Sequence, residues 1–299
     1  MIKATNLSKS FSDIKAIDCI NATINSGSIF GLIGSNGAGK STFIRMMAGV
    51  YMPDSGSITL DEDEIFENPQ VKQRIFYISD EQYFFPNGTP LEMKNYYKMF
   101  YPKFDEARYQ HLIKGFSLDD NRKIRTFSKG MKKQLSVIYA ICSGADYIFC
   151  DETFDGLDPV ARQGVKGLLA NDVLDRNLTP ILASHNLREL EDICDHVGLL
   201  HKGGILFSKD LDEMKLGIHK IQCVLPNNAI EDAFKDIDIL SKEIRGSLVS
   251  ITARGEQEDI KSKIRLANPI FLETLPLTLE EIFISETEAS GYDIKKLIF

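Results

Sequence analysis

The sequence predicts an α/β fold with an antiparallel β edge and a helical insertion, followed by a small α+β domain. Three patterns predict it. Short β-like runs alternate with helically spaced segments over residues 1–215, the spacing turns helical throughout from about 85 to 145, and beyond about Gly217 the element order becomes βαββαβ. An apolar fraction of 43% over 299 residues is enough for a sizeable core and removes disordered and collagen-like classes.

Charge and cysteine usage narrow the class further. The formal net charge of -8 disfavours a general nucleic-acid binder, since such binding rests on Lys and Arg neutralising phosphates, and no nucleic-acid partner is expected. Cys19, Cys142, Cys150, Cys194 and Cys223 lack CxxC spacing and mostly have apolar neighbours, as reduced thiols of a cytoplasmic protein would. The N-terminus "MIKATNLSKSFSDIKAI" has no apolar h-region and no run of eighteen apolar residues occurs, so the chain is not expected to span a membrane by itself.

The elements follow in order. "IKATNL", "IDCINATI" and "GSIFGLIG" are strands separated by Gly, Asn and Ser, an antiparallel edge leading into a buried strand. After "GKST", "FIRMMAGVY" has helical spacing; "PDSG" breaks it and "SITLDED" resumes as a strand. "TPLEMKNYYKMF", "DEARYQHLIKGF" and "MKKQLSVIYAICSG" are the amphipathic pieces of the insertion. "DYIFCD" and "LTPILAS" are strands followed by helices over Pro159 to Asn171 and Leu187 to Cys194, and "VGLLHKGGILFS" reads as a closing hairpin.

A short linker around Asp210 to Gly217 leads into the second domain, 218–299. There "HKIQCVL", "DILSKEI", "SLVSITA" and "IFLETL" are strands, the middle two joined through Gly246, with helices near "AIEDAFKDI" and "EDIKSKIRLA". This order is that of a split βαβ, ferredoxin-like module. A last helix, "TLEEIFISETE", follows.

The chemistry concentrates in the first domain. "GSNGAGKST", Gly34 to Thr42, fits GxxxxGK[ST] between a strand and a helix, the setting of a phosphate-binding loop. Around Ser35, Asn36, Gly37 and Gly39 the backbone amides can face a phosphate, Lys40 can reach the β and γ phosphates, the Ser41 hydroxyl can ligate Mg2+, and Thr42 completes the loop. "DYIFCDE" ends an apolar strand in two carboxylates, Asp151 to hold Mg2+ and Glu152 to orient water or accept its proton. Together these two motifs imply hydrolysis. The basic stretch "FSKGMKKQL", Phe127 to Leu135, is open to three readings: a nucleic-acid patch, a phosphate cradle or the solvated start of a helix.

With "GSNGAGKST", "FSKGM", "DYIFCDE", "DGLDP" and "SH" in this order, residues 1 to about 215 resemble the nucleotide-binding subunit of an ABC transporter. The resemblance implies a P-loop NTPase fold of ABC type that binds ATP and Mg2+ and hydrolyses the nucleotide. It makes Phe127 to Met131 the signature segment, Asp155 to Pro159 the D-loop and His185 the switch histidine. In that family two such domains pair head to tail. Ser128 and Gly130 would then touch ATP held by a partner chain, His185 would steady the attacking water on the γ-phosphate side, and Asp158 would bridge to the opposite subunit.

Phe11 matches the aromatic that stacks on adenine, with a core role at the β-rich edge as the alternative. "YISDEQYF" matches the Q-loop, and alignment of "YIS" puts its functional position at Asp80 rather than Gln82, making Asp80 the Mg2+-side and coupling residue. Lys129 and Thr153 depart from the usual glycine and proline. Ser128 would be both helix cap and ligand, Lys132 and Lys133 would lie on the solvated side of the helix, and Lys129 either touches phosphate across the dimer or faces solvent.

The resemblance also implies partners: integral membrane permease subunits, and either a second copy of this chain or a homologous ATPase. The aromatics of "EQYFFPNGTPLEMKNYY" either receive a permease helix or fill a local core. The motifs look most like bacterial subunits of ABC-2-type exporters, which implies a peripheral location on the cytoplasmic face of the plasma membrane and a peptide, antibiotic or other small amphipathic substrate. The alternative is a soluble or regulatory ABC ATPase with a non-transport partner. The second domain could regulate, stabilise the dimer or simply pack.

Overall fold

The edge strand β1 (Ile2–Phe11) buries Ile2 and Ala4 in alternation, and a bulge at Asn6, whose φ is 48°, returns Leu7 to the same face. β1 pairs antiparallel with β2 (Ile14–Ile24) and β4 (Ser55–Leu60), and β5 (Asp63–Glu64) completes a four-stranded sheet in the order β2-β1-β4-β5. The computed structural model describes residues 1–226, 234–282 and 284. The chain divides into two units, Met1–Ser208 and Lys209–Phe299.

A six-stranded sheet carries the first unit. Its order is β10-β9-β3-β8-β7-β6, from β3 (Phe30–Ile33), β6 (Ile75–Ile78), β7 (Tyr147–Asp151), β8 (Thr179–Ser184), β9 (His196–His201) and β10 (Gly204–Asp210). β3, β7 and β8 are buried along their whole length, which is why they read as unbroken apolar runs rather than alternating ones. They pair in parallel, so their carboxyl ends open on one crevice, the place where open α/β sheets receive ligands. β9 and β10 form the expected hairpin, turned at Lys202 and Gly203, both at positive φ.

α1 (Lys40–Met47) buries Phe43, Ile44, Met46 and Met47 in a core shared with Leu7, Ile17 and Ile58 of the antiparallel sheet and Leu32, Phe149 and Ile181 of the parallel one. Each such side chain contributes about 1.5–3 kcal/mol through burial. The helix that begins at the phosphate loop is therefore anchored by both sheets.

After α2 (Pro69–Lys72) and β6 comes the helical insertion, with α3 (Pro90–Phe100), α4 (Glu106–Gly115) and α5 (Lys129–Cys142). Each start has its own cap: a capping box of Thr89 and Glu92 for α3, Asp105 for α4 and Ser128 for α5. α6 (Pro159–Arg176) runs five residues past the expected Asn171, because Asp172 is buried and paired, and ends at Asn177 in the left-handed region. α7 (Leu187–Glu191) stops before the expected Cys194, whose backbone amide caps the turn onto Leu190 O.

The second unit differs from expectation at its start. The expected linker around Asp210 to Gly217 contains a helix, α8 (Leu211–Leu216), because Asp210 accepts from the Glu213 amide and Leu211 and Met214 are buried one turn apart. β11 (Ile218–Val224), β12 (Asp238–Arg245), β13 (Leu248–Arg254) and β14 (Phe271–Leu275) form an antiparallel sheet in the order β12-β13-β11-β14. β11 and β12 both run opposite to β13 between them, so they are parallel to each other, as a split βαβ requires. α9 (Gln257–Arg265) lays Ile260 and Ile264 on Ile221, Val249 and Ile251. The expected helix near "AIEDAFKDI" falls mainly on residues outside the described ones; of the last expected helix, 279–282 and 284 are helical and the rest lies outside them. Among the described residues no helix is long and apolar enough to cross a membrane.

Candidate nucleotide site

The phosphate-type loop links β3 to α1 across the carboxyl end of the sheet. Gly39 holds φ at 108°, and a Cβ there would come within 2.5 Å of Ala16 O, so only glycine lets the loop close against β2. Ser35, Asn36 and Gly37 are exposed on the rim, while Ser41 and Thr42 are half-buried in the first turn of α1. Lys40 is only 6% exposed. Its ammonium donates to Gly34 O at 2.7 Å and Ser35 O at 3.3 Å, and lies 3.5 Å from Glu152 Oε1. A cation is thus held by two loop carbonyls at a helix N-terminus, an arrangement suited to phosphate.

β7 delivers the carboxylates. Asp151 is fully buried and accepts from the Ser41 hydroxyl at 2.9 Å and from Tyr77 OH at 3.4 Å. Burial pushes its carboxyl above the ordinary range, opposed by the Ser41 hydrogen bond and the Arg45 charge and reinforced by the negative charges of Glu152 and Asp80. Burial likewise pushes the Tyr77 phenol up to about 12. The Ser41 hydroxyl and the Asp151 carboxylate are hard oxygen donors in mutual contact beside the loop, the donor set that Mg2+ prefers, so the residues fit the ion.

Glu152 takes a left-handed φ of 49°, and its amide donates to Ala183 O at 3.0 Å. Its carboxylate Oε2 lies 2.9 Å from Nδ1 of His185, which follows directly on β8. The structure therefore brings Lys40, Ser41, Asp151, Glu152 and His185 together. Asp155, which the resemblance gave only as the first residue of the D-loop, joins them: ligand atoms of Glu152, Asp155 and His185 lie within 4.8 Å of one another.

The basic segment at α5 separates into three fates. Ser128 Oγ accepts from the Met131 amide at 3.1 Å and caps the helix as expected. Gly130 faces Gly156 of the D-loop, where an added Cβ would come within 2.9 Å of the carbonyl oxygen, and the exposed Lys129 lays its stem along the same glycine. Lys132 is half-buried, but Lys133 is 0% exposed, which corrects its assignment to the solvated side. It donates to Glu152 O and, at 3.3 Å, to Asp80 Oδ1. Its place in the stripe with Val137, Ala140 and Ile141 was the available signal, because an apolar stripe turns inward.

Asp80 is half-exposed and reaches the cluster through Lys133, while the Gln82 side-chain amide donates to Ser79 O and Asp80 O. Asp158 caps α6, accepting from the Val160 and Ala161 amides at 3.0 and 2.9 Å. Phe11 is 41% exposed and sits edge-on to Tyr51 at 5.4 Å, with the Lys9 ammonium 5.7 Å from its ring. It is therefore not a core residue.

Comparison with known proteins gives the family. Residues 17–155 match the family described as ABC transporter. Over 286 residues the chain is 32% identical to the ABC transporter ATP-binding protein YtrB of Bacillus subtilis (strain 168), spanning 96% of this chain and 98% of that protein. The chain belongs to the ABC transporter ATP-binding family. It is an ATPase of that family, and family membership implies binding of ATP and Mg2+. Another relative, the bacitracin transport ATP-binding protein BcrA of Bacillus licheniformis, is 29% identical over 94% of each chain. Among solved structures, an ATP-binding subunit of an ABC transporter superposes with a TM-score of 0.66 at 26% identity, covering 72% of this chain and 92% of that one. The dimeric structure of MJ0796, a bacterial ABC transporter cassette, shares the fold with a TM-score of 0.65 at 19% identity, covering 71% and 99%.

Proposed function

We propose that this ABC ATPase powers export of a peptide, antibiotic or other small amphipathic substrate through separate ABC-2-type membrane subunits, from the cytoplasmic face of the bacterial plasma membrane. The observation that carries the hydrolytic part is the Glu152 carboxylate, set between the Lys40 ammonium at 3.5 Å and His185 Nδ1 at 2.9 Å. One oxygen thus faces the phosphate-binding cation and the other a second proton carrier. Glu152 accepts the proton of the attacking water, His185 orients that water, and Lys40 with the loop amides holds the β and γ phosphates. Ser41 and Asp151 would hold Mg2+, which would supply neutralisation of phosphate charge.

The exporter part rests on near full-length similarity to a bacitracin transport protein. Pairing rests on the exposed Ser128 and Asp158 and the half-buried Gly130, which would complete the ATP site of a second copy or a homologous ATPase. A groove of about 410 Å³ between α2 and α3, lined by Pro69, Lys72, Tyr96 and Phe100 among others, offers a permease helix an aromatic seat. Tyr97 and Tyr101 line the same groove while packing their rings against Phe76, so Tyr97 of this segment serves the groove and the local core at once. Phe11 offers its exposed ring to adenine.

Glu152→Gln tests the chemistry: kcat should fall about 10²–10⁴-fold while ATP still binds, because the amide keeps the shape but cannot take a proton. Undiminished turnover would remove Glu152 from the mechanism.

A further inference from the structure

Lys133 is a wholly buried ammonium that the hydrolytic mechanism does not use. A lysine taken fully out of water is tolerated only where acceptors surround it, and both of its acceptors are functional positions: the backbone carbonyl of Glu152 and the carboxylate of Asp80. Asp80 follows β6 and opens the segment leading to α3, whereas Glu152 closes β7, so α5 reaches across two adjacent strand ends with one side chain.

The Glu152 backbone is held on both sides. Its amide donates to Ala183 O, two residues before His185, and its carbonyl accepts from Lys133. A non-glycine residue with φ at 49° is an uncommon conformation that its surroundings must impose, and these two bonds impose it. They also set where the carboxylate points, because a change of ψ at a strand end swings the side chain relative to both Lys40 and His185.

We propose that Lys133 is a positioning residue for ATP hydrolysis, locking the Glu152 backbone and tying its orientation to the carboxylate of Asp80. The inference deepens the reading of Glu152 as proton acceptor and rests on it. Movement of the Asp80 segment then reaches Glu152 through one ammonium, and a shift of α5, whose N-terminal Ser128 faces outward, reaches it by the same side chain.

The test measures ATP turnover, nucleotide affinity and Mg2+ dependence on the full chain for Lys133→Met, Lys133→Arg, Asp80→Asn and the Met/Asn double variant. Lys133→Met should lower kcat at least about tenfold with KM and affinity changed less than about twofold, a loss confined to the transition state. Lys133→Arg should recover most of the rate. Asp80→Asn should lower kcat by itself but add nothing in the Met background, because its effect passes through Lys133. Normal kcat in Lys133→Met, losses that add in the double variant, or an Asp80→Asn defect repaired by excess Mg2+ would each overturn the proposal. Should Lys133→Met fail to fold, Asp80→Asn and Lys133→Arg decide it: an unchanged kcat in Asp80→Asn, or an Arg variant that folds and is inactive, overturns it. Glu152→Gln separates the two ideas, since full activity there refutes the role of Glu152 itself, whereas an inactive Glu152→Gln beside a normal Lys133→Met refutes only the positioning.

Discussion

Asp172→Ala removes the charge that joins the helical insertion to the core. Asp172 on α6 is 1% exposed; it accepts from Arg108 Nη1 of α4 at 3.1 Å, from Nη2 of the same guanidinium, and from Arg176 Nε at 2.6 Å. Removing one partner of a buried pair costs about 3–5 kcal/mol, because the charges left behind have lost both water and counter-ion. Arg108 and Arg176 are 30% and 26% exposed and can partly rehydrate, which places the expected loss at the low end, about 3 kcal/mol. At about 2–4 °C per kcal/mol for a unit the size of Met1–Ser208, Tm should fall by about 6–12 °C. Calorimetry of the nucleotide-free protein measures it. The drop should persist at about 1 M salt, since buried pairs are poorly screened. A fall under about 2 °C, or one that salt abolishes, would show that Asp172 acts as a surface charge and refute the reasoning.

Asp151→Asn should raise Tm of the nucleotide- and Mg2+-free protein at neutral pH while abolishing turnover. Burial raises the Asp151 carboxyl in the folded state, so its contribution to stability is full below the unfolded value of about 3.9 and is lost as pH rises through the raised folded value. The advantage of the amide should therefore grow with rising pH and vanish in acid; melting curves across pH check the sign. Thiol titration offers a further check. Burial pushes Cys142 and Cys150 up to about 12 and raises Cys194 and Cys223, whereas Cys19 is exposed, so one thiol should react in the native protein at about pH 8 and all five after unfolding.

The strands of the parallel sheet were legible because burial on both faces leaves their middles apolar, with polar residues only at the ends, as in "YIFCD" and "TPILAS". The loop and the paired acids were legible because phosphate chemistry demands a fixed spacing. What the local pattern hid were pairings made at a distance. α6 continues to Arg176 because Arg108, 64 residues away in sequence, meets Asp172. The linker became α8 for a local reason instead, because Asp210 accepts from the Glu213 amide three residues on. Lys133 read as a surface charge because lysines usually are, and only the approach of Glu152 and Asp80 supplies the acceptors that let it turn inward.

The charges of the site explain why a chain of net charge -8 can still receive a polyphosphate. Three carboxylates near the loop have a cation each: Asp80 has Lys133, Asp151 has the field of Arg45, and Glu152 has Lys40. Of these cations, Lys40 is the one built into the phosphate loop. On the proposed reading, the γ-phosphate competes with Glu152 for that ammonium. Lys40 lies 3.5 Å from Glu152 Oε1 and His185 Nδ1 lies 2.9 Å from Oε2, so an ammonium drawn toward phosphate leaves the carboxylate paired with His185 alone. Binding of phosphate thus frees one oxygen of Glu152 to accept the proton of the attacking water, and Lys133, holding only the backbone of Glu152, keeps the direction of that carboxylate fixed while its neighbours change.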